Sequence, residues 1–265
     1  MIKVLVSGAA GRMGREVVKA VINDPETQLV GAVDHHGVGN DAGEMAGCET
    51  QNVQISNDLQ AVLQQSGAQV AVDFSTPSAV KTNIQILLQN KVAPVIGTTG
   101  LHQSDLDEIA GWSKEADVPV FIAPNFAIGA VLMMRFAAQC APHFEHAEII
   151  EYHHEKKLDA PSGTAFKTAQ VIREAKGADF EHVGGDGDDS TAPHSRGGEI
   201  GGIAIHSVRL PGYLAHQEVI FGMPGQTLNI RHDTITRECY MPGVLLAVKK
   251  VLSLHGLTYG LEHLL

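Results

Sequence analysis

His153, His154, Lys156 and Lys157 fall within five consecutive positions, and Pro161-Ser162-Gly163-Thr164 follows closely. A histidine can give or take a proton near neutral pH. Lys157 offers a compact cation to an anionic group. A Pro-Ser-Gly-Thr turn that opens a helix presents backbone N–H groups and hydroxyls to an anion, most simply a carboxylate. Together these groups could hold a small dicarboxylate and protonate it. A solvated basic loop is the competing reading. Adjacent histidines at a strand end point to opposite faces, and acidic or sulfur ligands at metal-site spacing are missing nearby, so no metal site is expected.

A second constellation lies at the start of the chain. GAAGRMG places glycines at 8, 11 and 14, directly after the β-branched run Ile2–Val6. Met13, Val17, Val18 and Val21 then recur at helical spacing. Gly8 suits the tight turn, Gly11 the close approach of backbone to a pyrophosphate, and Gly14 the packing of helix on strand. Gln28–Val33 reads as the next strand and ends in Asp34, twenty residues after Gly14. That is the place for an acid accepting hydrogen bonds from an adenine ribose.

These loops need a frame, and the following residues supply one. Val70–Phe74, Pro94–Ile96 and Val118–Ile122 read as strands. Between them Thr76-Pro77 starts one helix, and Ser104 is the expected cap of another running to Ala116. Alternating strands and helices imply a parallel sheet with right-handed crossovers, whose ligands bind beyond the carboxyl ends of the strands. GAAGRM, Asp34, Gly97-Thr98-Thr99 and Ala123-Pro124-Asn125-Phe126 all fall at such ends. Taken singly, the later loops are equally compatible with plain turn chemistry.

After Phe126 the pattern changes. Ile128–Ala141 and Gly163–Ala175 read as helices and Ala147–His153 as a strand. Residues 184–202 read as one long loop. Ile203–Leu210, Gln217–Phe221 and Thr227–His232 read as strands pairing antiparallel, with no helices between them. Val244–Leu254 is helical again and could pack back on the first domain. The expectation is an α/β fold: a Rossmann-like doubly wound parallel sheet (residues 1–127, completed by 238–265) with a second α+β domain (128–237) containing a mixed or antiparallel sheet.

Bulk properties narrow the function. At 265 residues, with 44% hydrophobic and 18% charged, the chain can build one large core or two modest ones. A net charge of −11 argues against nucleic acid as a partner and requires local positive charge for any anionic ligand. The three cysteines are widely spaced and read as free thiols in a reducing compartment. The apolar start is too short for a signal peptide, and the longest apolar stretch, near Phe126–Met134, is too short to span a bilayer. A cytoplasmic protein with no membrane partner is expected.

GAAGRMG at 8–14, DFSTP at 73–77, GTTG at 97–100, APNF at 123–126 and E-x-H-H-x-x-K-x-D-A-P-S-G-T at 151–164 occur in one order. In this the chain resembles the dihydrodipicolinate reductase family, also called 4-hydroxy-tetrahydrodipicolinate reductases, over essentially its whole length. The resemblance implies reduction of 4-hydroxy-tetrahydrodipicolinate to tetrahydrodipicolinate, in lysine and diaminopimelate biosynthesis, by NADH or NADPH. It implies His153 and Lys157 as catalytic residues, and His154, Gly163 and Thr164 as contacts to a small dicarboxylate substrate. It assigns the nucleotide to Gly8, Ala9, Ala10, Gly11, Arg12, Met13, Asp34, Gly97, Thr98, Thr99, Ala123, Pro124, Asn125 and Phe126. It also implies a homotetramer assembled through the second domain's sheet. The chain departs from the family at Tyr152, where Ala is common, and at Asp34-His35-His36, where some members place Glu followed by Arg. The first domain's residues alone leave open another nicotinamide-dependent dehydrogenase, of an amino acid or semialdehyde, and a non-enzymatic NAD(H)-sensing module.

Overall fold

The computed structural model describes residues 1–182 and 196–265. Two compact units emerge: Met1–Ile128 with Tyr240–Leu265, and Gly129–Cys239.

The first unit begins with β1 (Ile2–Ser7), whose Val4, Leu5 and Val6 are fully buried, as a central parallel strand requires. The helix α1 (Arg12–Asn23) follows and buries Gly14, Val17, Val18 and Val21, the stripe expected from the sequence. Next come β2 (Thr27–Val33), the short α2 (Ala42–Met45), β3 (Ile55–Ser56), α3 (Leu59–Ser66) and β4 (Val70–Asp73). Then α4 (Pro77–Gln89) starts on its proline, and β5 (Ala93–Ile96), α5 (Gln103–Ala116) and β6 (Val120–Ile122) complete the run. The helix α5 begins one residue before Ser104. Its N-cap is His102, whose N–H donates to the Asp105 carboxylate at 3.0 Å, so Ser104 lies inside the first turn rather than capping it.

The chain leaves this unit through α6 (Ile128–Cys140) and forms β7 (His146–His153), α7 (Gly163–Lys176), β8 (Gly198–Ile200), β9 (Ile203–Arg209), β10 (Ala215–Met223) and β11 (Gln226–Thr234). It returns through α8 (Met241–Val251) and ends with β12 (Leu257–Tyr259). Val244, Ala247, Val248 and Val251 of α8 are fully buried at helical spacing, and the helix packs on α1 and on β4, β5 and β6.

The seven strands of the first unit are all parallel, in the order β12-β6-β5-β4-β1-β2-β3. The chain winds one way from β1 and the other way from β4, so the switch point lies between these neighbours. The loops leaving them therefore lie side by side: a Cβ on Gly8 would come within 2.5 Å of the Phe74 carbonyl oxygen. This is a Rossmann-like sheet, and in such sheets ligands bind beyond the carboxyl ends of the strands at the switch point.

The second unit holds a five-stranded mixed sheet, β11-β10-β7-β9-β8. Its core joins Ala147 and Ile149 of β7, Ile203 and Ile205 of β9, and Val219 and Phe221 of β10 to Ala165, Ala169 and Ile172 of α7. Two expectations need correction here. First, β9 does not pair with β10; β7 lies between them, and β9 runs parallel to β7. The crossover from β7 through α7 is long enough to return the chain in the same direction, which a hairpin cannot do. Second, Gly198–Ile200, inside the expected 184–202 loop, pairs antiparallel with β9. Most of that expected loop lies outside the described residues. No helix among the described residues is long and apolar enough to cross a membrane.

Candidate active site

Four loops gather at the carboxyl edge of the parallel sheet. Gly8–Met13 run from the end of β1 into the first turn of α1. Gly8 has φ +79°, and a Cβ on Gly14 would lie 1.9 Å from the Gly8 carbonyl oxygen, so both positions require glycine. Gly11 stands at the N-cap without a side-chain hydrogen bond, so no side chain of its own caps the first turn of α1. Asp34 follows β2. One of its oxygens accepts the Ala10 N–H at 3.0 Å and the other the His36 N–H at 2.9 Å, which ties the acid to the glycine loop. Each carboxylate oxygen has capacity for a second donor, such as a ribose hydroxyl.

The other two loops are fixed by a group that sequence reasoning did not single out. Asp73, the buried last residue of β4, accepts from the Ser75 N–H and hydroxyl at 2.9 and 2.7 Å. It also accepts from the Thr98 hydroxyl and the Asn83 amide, each at 2.8 Å. The Thr98 side chain is thus spent on the fold, and this stretch has its backbone and Thr99 left for a ligand. Gly97 presses against the Phe74 ring, where a Cβ would come within 2.2 Å, and Phe74 in turn lies 5.8 Å from Phe126, centroid to centroid. Asn125 accepts the Ala127 N–H at 2.8 Å and shapes the turn after Ala123-Pro124. The carbonyl of Phe126 is approached by α8, since a Cβ on Gly243 would sit 2.1 Å from it. The glycine cradle, the uncapped helix start and the acid after β2 fit a dinucleotide's pyrophosphate and ribose.

The second set of residues belongs to the second unit. His153 ends β7; His154 follows it and accepts the Lys157 N–H at 3.1 Å through its carbonyl. The ammonium of Lys157 reaches both oxygens of Asp159 at 2.7 and 2.8 Å, and this hydrogen bond holds the Asp159 carboxyl below its usual range. Ser162 caps α7, its hydroxyl accepting the Ala165 N–H at 3.2 Å. Above Gly163, the first residue of α7, the space is open: an added Cβ would meet nothing within 4 Å. Gly163 is therefore not demanded by packing, and its backbone is accessible to a ligand. Thr164 is half-buried beside it, and its carbonyl accepts the buried Thr168 hydroxyl at 2.8 Å.

Glu151 and Arg209 complete this cluster, and sequence reasoning missed both. Strand alternation places Glu151 and His153 on one face, and the register sets Arg209 beside His153. Glu151 is wholly inaccessible and is hydrogen-bonded to His153 Nδ1. Arg209 grips it with both terminal nitrogens, at 2.8 and 2.7 Å. Burial pushes the Glu151 carboxyl up, but hydrogen bonds from His153, Arg209 and Ser207 outweigh it and hold it at about 2. The available signal was the E-x-H spacing itself, since residues two apart on a strand share a face.

This fold, with its glycine-rich turn between β1 and α1, is that of a Rossmann-type oxidoreductase with a separate α+β unit. Comparison with known proteins makes this particular. The family models for the N-terminus and C-terminus of dihydrodipicolinate reductase match residues 2–126 and 129–265. A 4-hydroxy-tetrahydrodipicolinate reductase of Desulfitobacterium hafniense is 49% identical, the alignment covering 100% of this chain and 98% of that one. Its counterpart in Synechocystis sp. is also 49% identical, with the same coverage. A solved structure of dihydrodipicolinate reductase from Paenisporosarcina sp. TG-14, with dipicolinate bound, superposes with a TM-score of 0.88 at 41% identity and covers 100% of both chains. The chain belongs to the dihydrodipicolinate reductase family.

Proposed function

We propose that this chain reduces 4-hydroxy-tetrahydrodipicolinate to tetrahydrodipicolinate with NADH or NADPH, the step that serves diaminopimelate and lysine biosynthesis. The observation that carries the reading is the cluster in the second unit: His153, Lys157 and the open, serine-capped start of α7, in a chain whose relatives carry this activity in their names. The nicotinamide nucleotide supplies the hydride when bound. The first unit's residues would hold it, Gly8–Met13 receiving the pyrophosphate and Asp34 the adenine ribose, with Gly97–Thr99 and Ala123–Phe126 as further contacts.

The reaction replaces the C4 hydroxyl of the ring with hydrogen. The C–O bond breaks, and the departing oxygen needs a proton to leave as water. His153 donates that proton from Nε2, its Nδ1 being engaged by Glu151. The first N–H groups of α7 at Gly163 and Thr164 receive one substrate carboxylate. Lys157 receives the second, and His154 adds a contact. The relative from Paenisporosarcina, with dipicolinate bound, supports a dicarboxylate as the ligand class.

The same reading extends to assembly and location: a cytoplasmic homotetramer. The face of the second sheet opposite its helices carries half-buried Ile150, Tyr152 and Ile220 among hydrogen-bonded polar groups such as His206 and Glu148, 2.8 Å apart, a surface suited to a second copy. The testing experiment couples the chain to a source of 4-hydroxy-tetrahydrodipicolinate and follows the absorbance of NADH and, separately, NADPH. Substrate-dependent oxidation is expected with both. No oxidation with either, by a folded chain, would defeat the proposal.

A further inference from the structure

We propose that Glu151, clamped by Arg209, is a positioning residue: it keeps a proton on His153 Nδ1, leaves Nε2 for the substrate, and fixes the 159–162 turn relative to the imidazole. The inference rests on the reading of His153 as proton donor and deepens it.

A carboxylate on the core face of a strand is costly unless every lone pair is used. Here it joins separate stretches of chain. His153, on the same strand, bonds one oxygen through Nδ1. Arg209, at the end of β9, donates to both oxygens and also to the Asp159 carbonyl at 2.7 Å. The Ser162 N–H donates to Glu151 at 3.2 Å, while the Ser162 hydroxyl caps α7. One buried anion thus connects the imidazole to the turn that presents the helix start.

The proton's place follows from chemistry. A carboxylate held ionised only accepts hydrogen bonds, so the ring nitrogen facing it must carry hydrogen. The neutral ring is then bare at Nε2, and the imidazolium carries its exchangeable proton there. The logic is that of a buried acid orienting a catalytic histidine, in which the acid itself transfers nothing. An apolar residue at 151 could pack the same space but could not select the tautomer or hold the turn.

The test combines a spectrum with kinetics. Long-range proton–nitrogen correlation on the ¹⁵N-histidine-labelled chain, with His153→Gln for assignment, reads which nitrogen bears hydrogen in the neutral ring. Wild type is expected to show hydrogen on Nδ1. In Glu151→Gln, where the amide can donate, population moves to the other tautomer and kcat falls roughly 10²-fold. KM for substrate and Kd for nucleotide are expected to stay within about threefold. Arg209→Lys, which loses the fork and the Asp159 contact, is expected to raise KM more than it lowers kcat. A wild-type ring with hydrogen on Nε2 overturns the proposal whether or not a variant folds. Folded Glu151→Gln with kcat within about threefold of wild type also overturns it. Failure of wild type to reduce the substrate would defeat the functional reading, while the spectrum would still decide the tautomer.

Discussion

Acid should loosen the second unit, and Glu151 is one residue through which it does so, beside Glu148, Asp159 and Asp233, whose carboxyls are also held below their ordinary range. The Glu151 carboxyl is held at about 2 in the folded chain against an ordinary 4.5. A carboxyl with a depressed folded value adds stability that is complete above its unfolded value and is lost as pH falls through the folded one. The window is therefore from about pH 4.5 down to about 2. At 1.36 kcal/mol per pH unit the gap corresponds to roughly 3 kcal/mol, of which about 2 is lost by pH 3. The side chain is fully inaccessible, so solvent screening takes little from this figure. The perturbation is Glu151→Gln, which keeps the shape and cannot ionise. The assay is urea unfolding from pH 7 to pH 3, read by pulsed hydrogen exchange on the peptide spanning β7, so that the second unit is followed by itself. Carboxylates away from the Glu151–Arg209 network are common to both proteins and cancel in the difference. Glu151→Gln is expected to be the less stable at pH 7, and the two curves are expected to converge by about 2 kcal/mol as pH falls to 3. Parallel curves would show that the network around Glu151 does not hold its charge, and the reasoning would fail.

Replacing His153 with Gln is expected to lower kcat about 10²–10⁴-fold while nucleotide affinity, measured by titration, stays nearly intact; near-normal turnover would return the basic stretch to a solvated loop. Asp159→Asn frees Lys157 from a partner that is 60% exposed, so KM for substrate is expected to fall, by at most about fivefold for so weak an ion pair, whereas Lys157→Ala raises it. Asp34 favours a ribose hydroxyl over a phosphate, so NADH is expected to serve at least comparably to NADPH in steady-state assays. An effective restriction to NADPH at alkaline pH would show that Asp34 has another role.

What could be read from the sequence was what depends on local spacing. Glycines between a strand and a helix, a proline after Thr76 and an acid twenty residues past Gly14 carry their meaning within a few turns of chain. The parts not read depend on distant partners. In β7 the run His-Ala-Glu-Ile-Ile-Glu-Tyr-His mixes polar and apolar residues on both faces, so alternation alone does not show which face is buried. The packing of α7 over Ile149 decides it, and turns Glu151 from an apparent surface acid into a buried one. Asp73 is similar: its partners Asn83 and Thr98 come from α4 and from the loop after β5. The parallel pairing of β9 with β7 was hidden for the same reason, since the run itself has no mark of its direction.

The sequence also posed a question of charge, because an acidic chain gathers its cations just before the Ser-Gly-Thr turn. The structure shows that two residues of this stretch, Lys157 and His153, have carboxylate partners already, and that the partners differ in kind. Lys157 holds Asp159, largely exposed, in a pair worth at most about 1 kcal/mol. His153 and Arg209 hold Glu151, fully buried, where removing one partner costs about 3–5 kcal/mol. An arriving dianion can take Lys157 from Asp159 at little cost, because water and the substrate compete there on similar terms. It cannot take His153 from Glu151. On the proposed reading, the exchangeable pair meets the substrate's charge and the fixed pair aims the proton. The same short stretch can do both because one acid lies in solvent and the other on the core face of a strand.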